Sequence, residues 1–320
     1  MPDRRVIGVD MGGTKLLAGV VGADLSVHHR QQVQIRGLDR ETLLDTVQSA
    51  VRESINRADG EVVAVGFGIP SAIDRRTGTS VYSTHLPIAG LAFGAVMSQR
   101  LGLPCCIDND GNLAALAEHR HGAARGTSEA VAVTLGTGIG GGLIIGGRLF
   151  RGALGAGAEL GHMVVEADGP PCQGNCPNFG CVEVMASGTA LAREARKLGV
   201  EHPDSGLGRA VAAGDEPLGP RVTELAFAGD APALEVVRRI GRWLGIACAN
   251  YVNIFNPEVI VVGGGVIAAG ELLLEPAREE MLARALPPAR DTVRIVAAEH
   301  GVAAGMLGAA IMAWDELEAR

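Results

Sequence analysis

A chain of 320 residues is long enough for two domains, each able to bury its own core. Its net charge of −8 excludes a general nucleic-acid binder, which needs a basic face, and no run approaches the roughly 20 apolar residues that span a bilayer. The 46 glycines fall in clusters rather than in a collagen-like period, which marks tight turns and close approach of backbone to a ligand.

Met1-Pro2-Asp3-Arg4-Arg5 runs straight into a strand-like segment, with no secretory apolar region. A cytoplasmic protein is therefore expected, with its six cysteines as thiols or metal ligands rather than disulfides. Val6 to Val9 reads as a buried strand. Gly12-Gly13 and a second apolar run, Leu16 to Val21, follow, and a third strand over Val27 to Ile35 completes a meander. Leu43, Leu44, Val47, Val51 and Ile55 recur at helical spacing behind Asp39, a suitable N-cap. Further strands are predicted at Val62 to Phe67 and Cys105 to Ile107, then a helix from about Gly111 to His119. Ala130 to Leu135 begins the same pattern again: strand, Gly-rich turn, strand at Leu143 to Ile145. Residues 200 to 220, rich in glycine and proline, read as a surface connection. A long helix over Ala233 to Phe255 leads to a strand at Val259 to Val262, and a helix over Ala303 to Trp314 follows near the end.

Two of the turns carry phosphate chemistry. In Asp10-Met11-Gly12-Gly13-Thr14-Lys15 the glycines let backbone amides approach phosphate oxygens, and Thr14 and Lys15 add donors. A Walker loop has the form Gly-x4-Gly-Lys-Ser/Thr and opens a helix, whereas here a strand follows. Gly136-Thr137-Gly138-Ile139-Gly140-Gly141-Gly142 formally contains a dinucleotide fingerprint. It too leads into a strand, which disfavours a nicotinamide dehydrogenase. Gly263-Gly264-Gly265 ends a strand and enters a helix, where glycines leave room for a flat adenine or ribose.

Three glycine turns in this order resemble the ROK family (repressors, open reading frames and kinases), most closely its glucokinase-like members. The resemblance covers nearly the whole chain, to Gly301-Val302-Ala303-Ala304-Gly305-Met306-Leu307-Gly308-Ala309-Ala310. It implies an α/β, actin-like ATPase (ribonuclease H-like) fold, with two lobes and an active-site cleft between them. The expected division is a small lobe of residues 1–121 plus 302–320, and a larger one of 122–301. The implied reaction is phosphorylation of a hexose 6-hydroxyl by ATP with Mg²⁺, D-glucose foremost. Asp10, Gly12, Gly13, Thr14, Lys15, Gly136, Thr137, Gly138 and Gly264 would line the nucleotide cleft, with Asp10 meeting Mg²⁺ through water.

In Asp108-Asn109-Asp110-Gly111-Asn112 the resemblance makes Asp110 the general base and Asn109 a sugar ligand, although an acid there could simply cap a helix. Glu159-Leu160-Gly161-His162 and Glu183 match the family's other sugar-binding groups. His85 stands where the family usually has a sugar-binding asparagine, so the identity of the hexose is open among glucose, N-acetylmannosamine, fructose, mannose, allose and N-acetylglucosamine. Polyphosphate is the alternative donor. Cys172, Cys176 and Cys181 with His162 form the ligand set of a closed, structural Cys3His zinc centre, with two more residues in the first gap than the family pattern has. A homodimer is implied, with a tetramer as its alternative. A non-catalytic, sugar-sensing regulator is the rival from another class, for which a DNA-binding module ahead of the first strand would be expected.

Overall fold

The structure is a computed structural model that describes residues 3–74, 76–83 and 86–319. Its first sheet is built from β1 (Arg4–Met11), β2 (Lys15–Val21) and β3 (Val27–Gln34), then, after helix α1 (Arg40–Asn56), β4 (Glu61–Ile69). A two-stranded ribbon, β5 (Ser71–Asp74) and β6 (Thr79–Ser83), and helix α2 (Phe93–Leu101) intervene before β7 (Cys105–Asn109) and helix α3 (Asp110–His121). The second sheet starts with β8 (Ala130–Leu135), β9 (Ile139–Ile145) and β10 (Arg148–Phe150). Five helices follow: α4 (Val182–Ala186), α5 (Gly188–Glu201), α6 (Gly206–Ala213), α7 (Leu218–Phe227) and α8 (Ala231–Phe255). Then come β11 (Val259–Gly263), α9 (Glu271–Arg284), α10 (Ala289–Thr292), β12 (Arg294–Ala297) and α11 (Ala304–Glu318).

The sheet orders are β3-β2-β1-β4-β7 and β10-β9-β8-β11-β12. In each, three antiparallel strands are followed by two parallel ones, so the fold is used twice although the sequence shows no repeat. The order matches the expected actin-like architecture, and strand composition explains it. β1 is apolar on both faces and central, whereas β3 alternates polar residues outward and forms an edge. Asp39 accepts from the N–H of Thr42 and caps α1, whose Leu43, Leu44, Val47 and Val51 are buried. Residues 200 to 220 are not a bare connection: α6 forms there, with Ser205 as its N-cap.

Helices α1 and α2 cover one face of the first sheet, and α3 and α11 cover the other. The second sheet rests on α4, α5, α7, α8 and α9 around the largest core. Helix α3 also touches the second sheet and so joins the two. A Cβ at Gly111 would lie 2.6 Å from the carbonyl oxygen of Gly141, and one at Gly142 would lie 2.5 Å from the Ala115 Cβ. This corrects the reading of Gly136 to Gly142 as one long turn: only residues 136–138 turn, and Gly140, Gly141 and Gly142 belong to β9, where glycine lets strand and helix approach. At its other end α3 presents Glu118, 2% exposed, which accepts from the N–H groups of Ala123, Glu299 and His300 and fixes the approach to α11.

Candidate active site

Both phosphate-type turns lie between antiparallel strands, where side chains leave the backbone accessible. The first closes with the Gly12 N–H donating to the Lys15 carbonyl at 2.9 Å. In the second, Gly136 donates to Gly138 at 2.9 Å, and the first residue of α5, Gly188, donates to Gly136 at 2.8 Å. The Thr189 hydroxyl also donates to the Thr137 carbonyl, at 2.7 Å. Gly13 and Thr14 from the first turn face Thr137 and Gly138 from the second around a cavity of 690 Å³. Glu159, His162 and Glu183 line the same cavity. An adjoining set, Asp10, Gly12, Lys15, Gly136 and Gly264, lines a second cavity of 630 Å³. The turns thus open onto two compartments, one lined by two carboxylates and a histidine and one that includes three glycines.

Asn109 and Asp110 stand where β7 gives way to α3. Asn109 is the N-cap and accepts from Asn112 N–H at 3.1 Å, so the cap of this helix is Asn109 and not Asp110. Asp110 accepts from its neighbour Gly111 N–H at 2.9 Å. It adjoins Asp10 across Gly68: a Cβ on that glycine would lie 3.6 Å from both Asp10 Oδ1 and Asp110 Cα. Burial first, and then the charge of Asp110, pushes the Asp10 carboxyl up to about 7, with Lys15 opposing. Burial likewise raises Glu159 even though it stands in an open cleft, and Glu183 adds to this while His162 opposes it.

Glu183 does more than the sequence implies, since its Oε2 accepts from Ile139 N–H at 2.8 Å. A Cβ on Gly138 would lie 2.3 Å from that oxygen, so this glycine is required by a side chain as well as by any ligand. Gly264 likewise answers to packing: with φ at +86° its Cβ would fall 2.4 Å from the Leu135 carbonyl, so adenine space is not its only reason.

One ligand atom each from His162, Cys172, Cys176 and Cys181 lies within 4.8 Å of the others. His162 Nδ1 is 3.6 Å from Cys172 Sγ, and Cys176 Sγ is 3.9 Å from Cys181 Sγ. Three sulfurs and one imidazole fit a tetrahedral Zn²⁺ with no open position. Burial pushes the Cys172 and Cys181 thiols up, a cost that a coordinated cation reverses. The loop also has apolar support. Cys181, Val184 and Met185 form a small core with Val165 and Trp243. Trp243 comes from α8, too far along the chain to be seen locally.

Of the sites expected from sequence, only His85 lies outside the described residues. Arg30, Gln31, Gln32 and Val302 line the second cavity, and Tyr82, Gln173 and Asn175 line the first, none of them foreseen. The outward alternation of β3 was the available signal for Arg30 and Gln32. Gln173, in the longer first gap of the metal loop, donates to Ser187 Oγ at 3.2 Å and to the Thr137 carbonyl at 3.5 Å.

Duplicated sheets, a cleft between them and a glycine turn from each side define an actin-like ATPase fold. The chain belongs to the ROK family, whose profile matches residues 6–316. It is 36% identical to a glucokinase of Thermotoga maritima over 317 residues, covering 97% of each chain. The structure resembles that of a ROK family glucokinase from Streptomyces griseus in complex with glucose and AMPPNP, with a TM-score of 0.87 at 34% identity. That match covers 97% of this chain and 99% of the other. A xylose repressor of Caldicellulosiruptor bescii is 31% identical, covering 86% of this chain but 69% of the repressor.

Proposed function

We propose that this ATP-dependent sugar kinase transfers the γ-phosphoryl group of ATP to the 6-hydroxyl of D-glucose. The observation that carries the reading is the shared cavity: a phosphate turn from each side meets Glu159, His162 and Glu183 around one space. The similarity to glucokinases supports the choice of sugar.

Phosphoryl transfer asks for positioning, charge neutralisation and a base. Asp110 takes the proton of the attacking hydroxyl as the bond from O6 to phosphorus forms and the bond to the ADP oxygen breaks. Asn109, Glu159, His162 and Glu183 hold the remaining hydroxyls, and His85 stands at the position of a further sugar ligand. Gly12, Gly13, Thr14, Lys15, Gly136, Thr137, Gly138 and Gly264 receive the nucleotide. Mg²⁺, when bound, would supply charge neutralisation at the phosphates. Asp10, a carboxylate that burial and Asp110 hold near neutrality, suits a place beside that cation through water. His162, Cys172, Cys176 and Cys181 would hold Zn²⁺, which would order the loop that leads through Cys181 to Glu183. With Nδ1 of His162 turned to the sulfurs, its Nε2 is free to serve the sugar. We divide the lobes at residues 121 and 301, since α11 packs on the first sheet, and read the enzyme as a homodimer.

An ADP-release assay with ATP and Mg²⁺ against a panel of hexoses tests the reading, with Asp110→Asn as control. Glucose-dependent turnover that falls by roughly 10²-fold or more in the variant is expected. Preference for another hexose would keep the chemistry and replace the substrate. Absence of turnover from folded, metal-loaded protein would favour a sugar-sensing regulator, the reading that the xylose repressor similarity supports.

A further inference from the structure

Directly before Asn109 and Asp110 stands a third polar residue that the reaction does not use. Asp108 is 1% exposed, and both its oxygens are engaged. Oδ1 accepts from the N–H of Asn109 at 2.8 Å and from Nδ2 of Asn112 at 3.0 Å. Oδ2 receives Nε of Arg151 at 2.5 Å. Arg151 immediately follows β10 and so belongs to the second sheet's side of the cleft. Its guanidinium also donates to the Leu149 carbonyl at 3.4 Å.

Two features argue that direction matters here as well as charge. The buried Asn112 gives its amide to Asp108 and keeps Oδ1 without a hydrogen-bond partner, although an unpaired buried oxygen is costly. A planar guanidinium, held at two points, fixes an angle that a lysine ammonium would not.

We propose that Arg151 is a positioning residue for phosphoryl transfer. Through Asp108 it clamps the first turn of α3 and sets the aim of the Asp110 carboxylate relative to the opposite lobe. The proposal rests on Asp110 being the base. Reacting atoms must meet within about 3–3.5 Å, and a misplacement near 1 Å can cost on the order of 10²-fold in rate, so a small rotation of that turn suffices.

Steady-state kinetics with glucose and ATP on Arg151→Lys, Arg151→Met and the double variant Asp108→Asn/Arg151→Met provide the test. Arg151→Lys keeps the charge and is expected to lose about tenfold or more in kcat, with KM for ATP changed by less than about twofold. Arg151→Met strands a buried carboxylate and is expected to melt earlier. The neutral double variant regains that melting temperature but stays slow. A wild-type kcat in Arg151→Lys, or in the double variant, would overturn the proposal by making the pair merely structural. Asp110→Asn run in parallel separates the premises. If it is inactive while the Arg151 variants are fast, the clamp alone falls; if it is active, the base assignment falls and takes the clamp with it.

Discussion

Asp10 is a carboxylate that the fold keeps from ionising freely. Burial raises it most, Asp110 adds to that, and Lys15 offsets part, leaving it at about 7 against a usual 3.8. A pKa raised on folding contributes stability that is full below the unfolded value and is lost as pH rises through the folded one. Asp10→Asn is therefore expected to raise the melting temperature of the ligand-free protein by a few degrees at pH 8 and to change it little at pH 4. Thermal melts at the two pH values check this, and equal melting at pH 8 would show that the carboxylate is not strained. Phosphoryl transfer should nevertheless fall in the same variant. The metal site makes a second prediction at this scale. Cys181→Ser should lose bound zinc by elemental analysis and weaken glucose binding together, since Cys181 lies two residues before Glu183 on the loop that His162 faces. Full zinc retention would sink it.

At the scale of elements, α11 is placed by glycines rather than by large side chains. A Cβ at Gly8 would come within 2.0 Å of the Met306 carbonyl oxygen, and one at Gly66 within 1.9 Å of that of Ala309. Near the start of the helix, a Cβ at Gly305 would lie 2.5 Å from the Asp10 Cγ. Gly305→Ala should therefore cut kcat by roughly 10²-fold while leaving the far-UV circular dichroism unchanged, because it displaces a site carboxylate and not a core contact. By contrast Asp39→Ala removes only the cap of α1 and should cost about 1 kcal/mol without touching kinetics. Element existence was legible from period and capping: Asp39 with Leu43, Leu44, Val47 and Val51 announces α1, and Ala130 to Leu135 announces β8. The glycines announced the turns but not their limits, because Gly141 and Gly142 serve the approach of Leu160 and of α3 rather than a phosphate. The grouping of His162, Cys172, Cys176 and Cys181 was legible from spacing. Trp243 behind them and Arg151 beside Asp108 were not, because each is brought in by tertiary structure.

For the whole molecule the controlling feature is α3, which packs on both sheets at once. Glu118 at one end ties it to the segment before α11, and Asp108 with Asn109 anchors the other. Two lobes that share a buried helix cannot melt independently. Calorimetry of the metal-loaded protein should therefore give one cooperative transition, with the calorimetric and van't Hoff enthalpies in agreement. Two resolved peaks would mean that α3 can leave one sheet while the other persists.

The placement of α11 also orders events during synthesis. β1 and β4 emerge well before α11, the helix that covers one of their faces. The elements from β8 to β12 are complete before it appears, so the second sheet can bury its core while the first still exposes Val6, Ala64 and their neighbours to water. A growing chain of this protein therefore carries an unfinished apolar surface until α11 emerges, and the sheet begun first is covered after the sheet begun second.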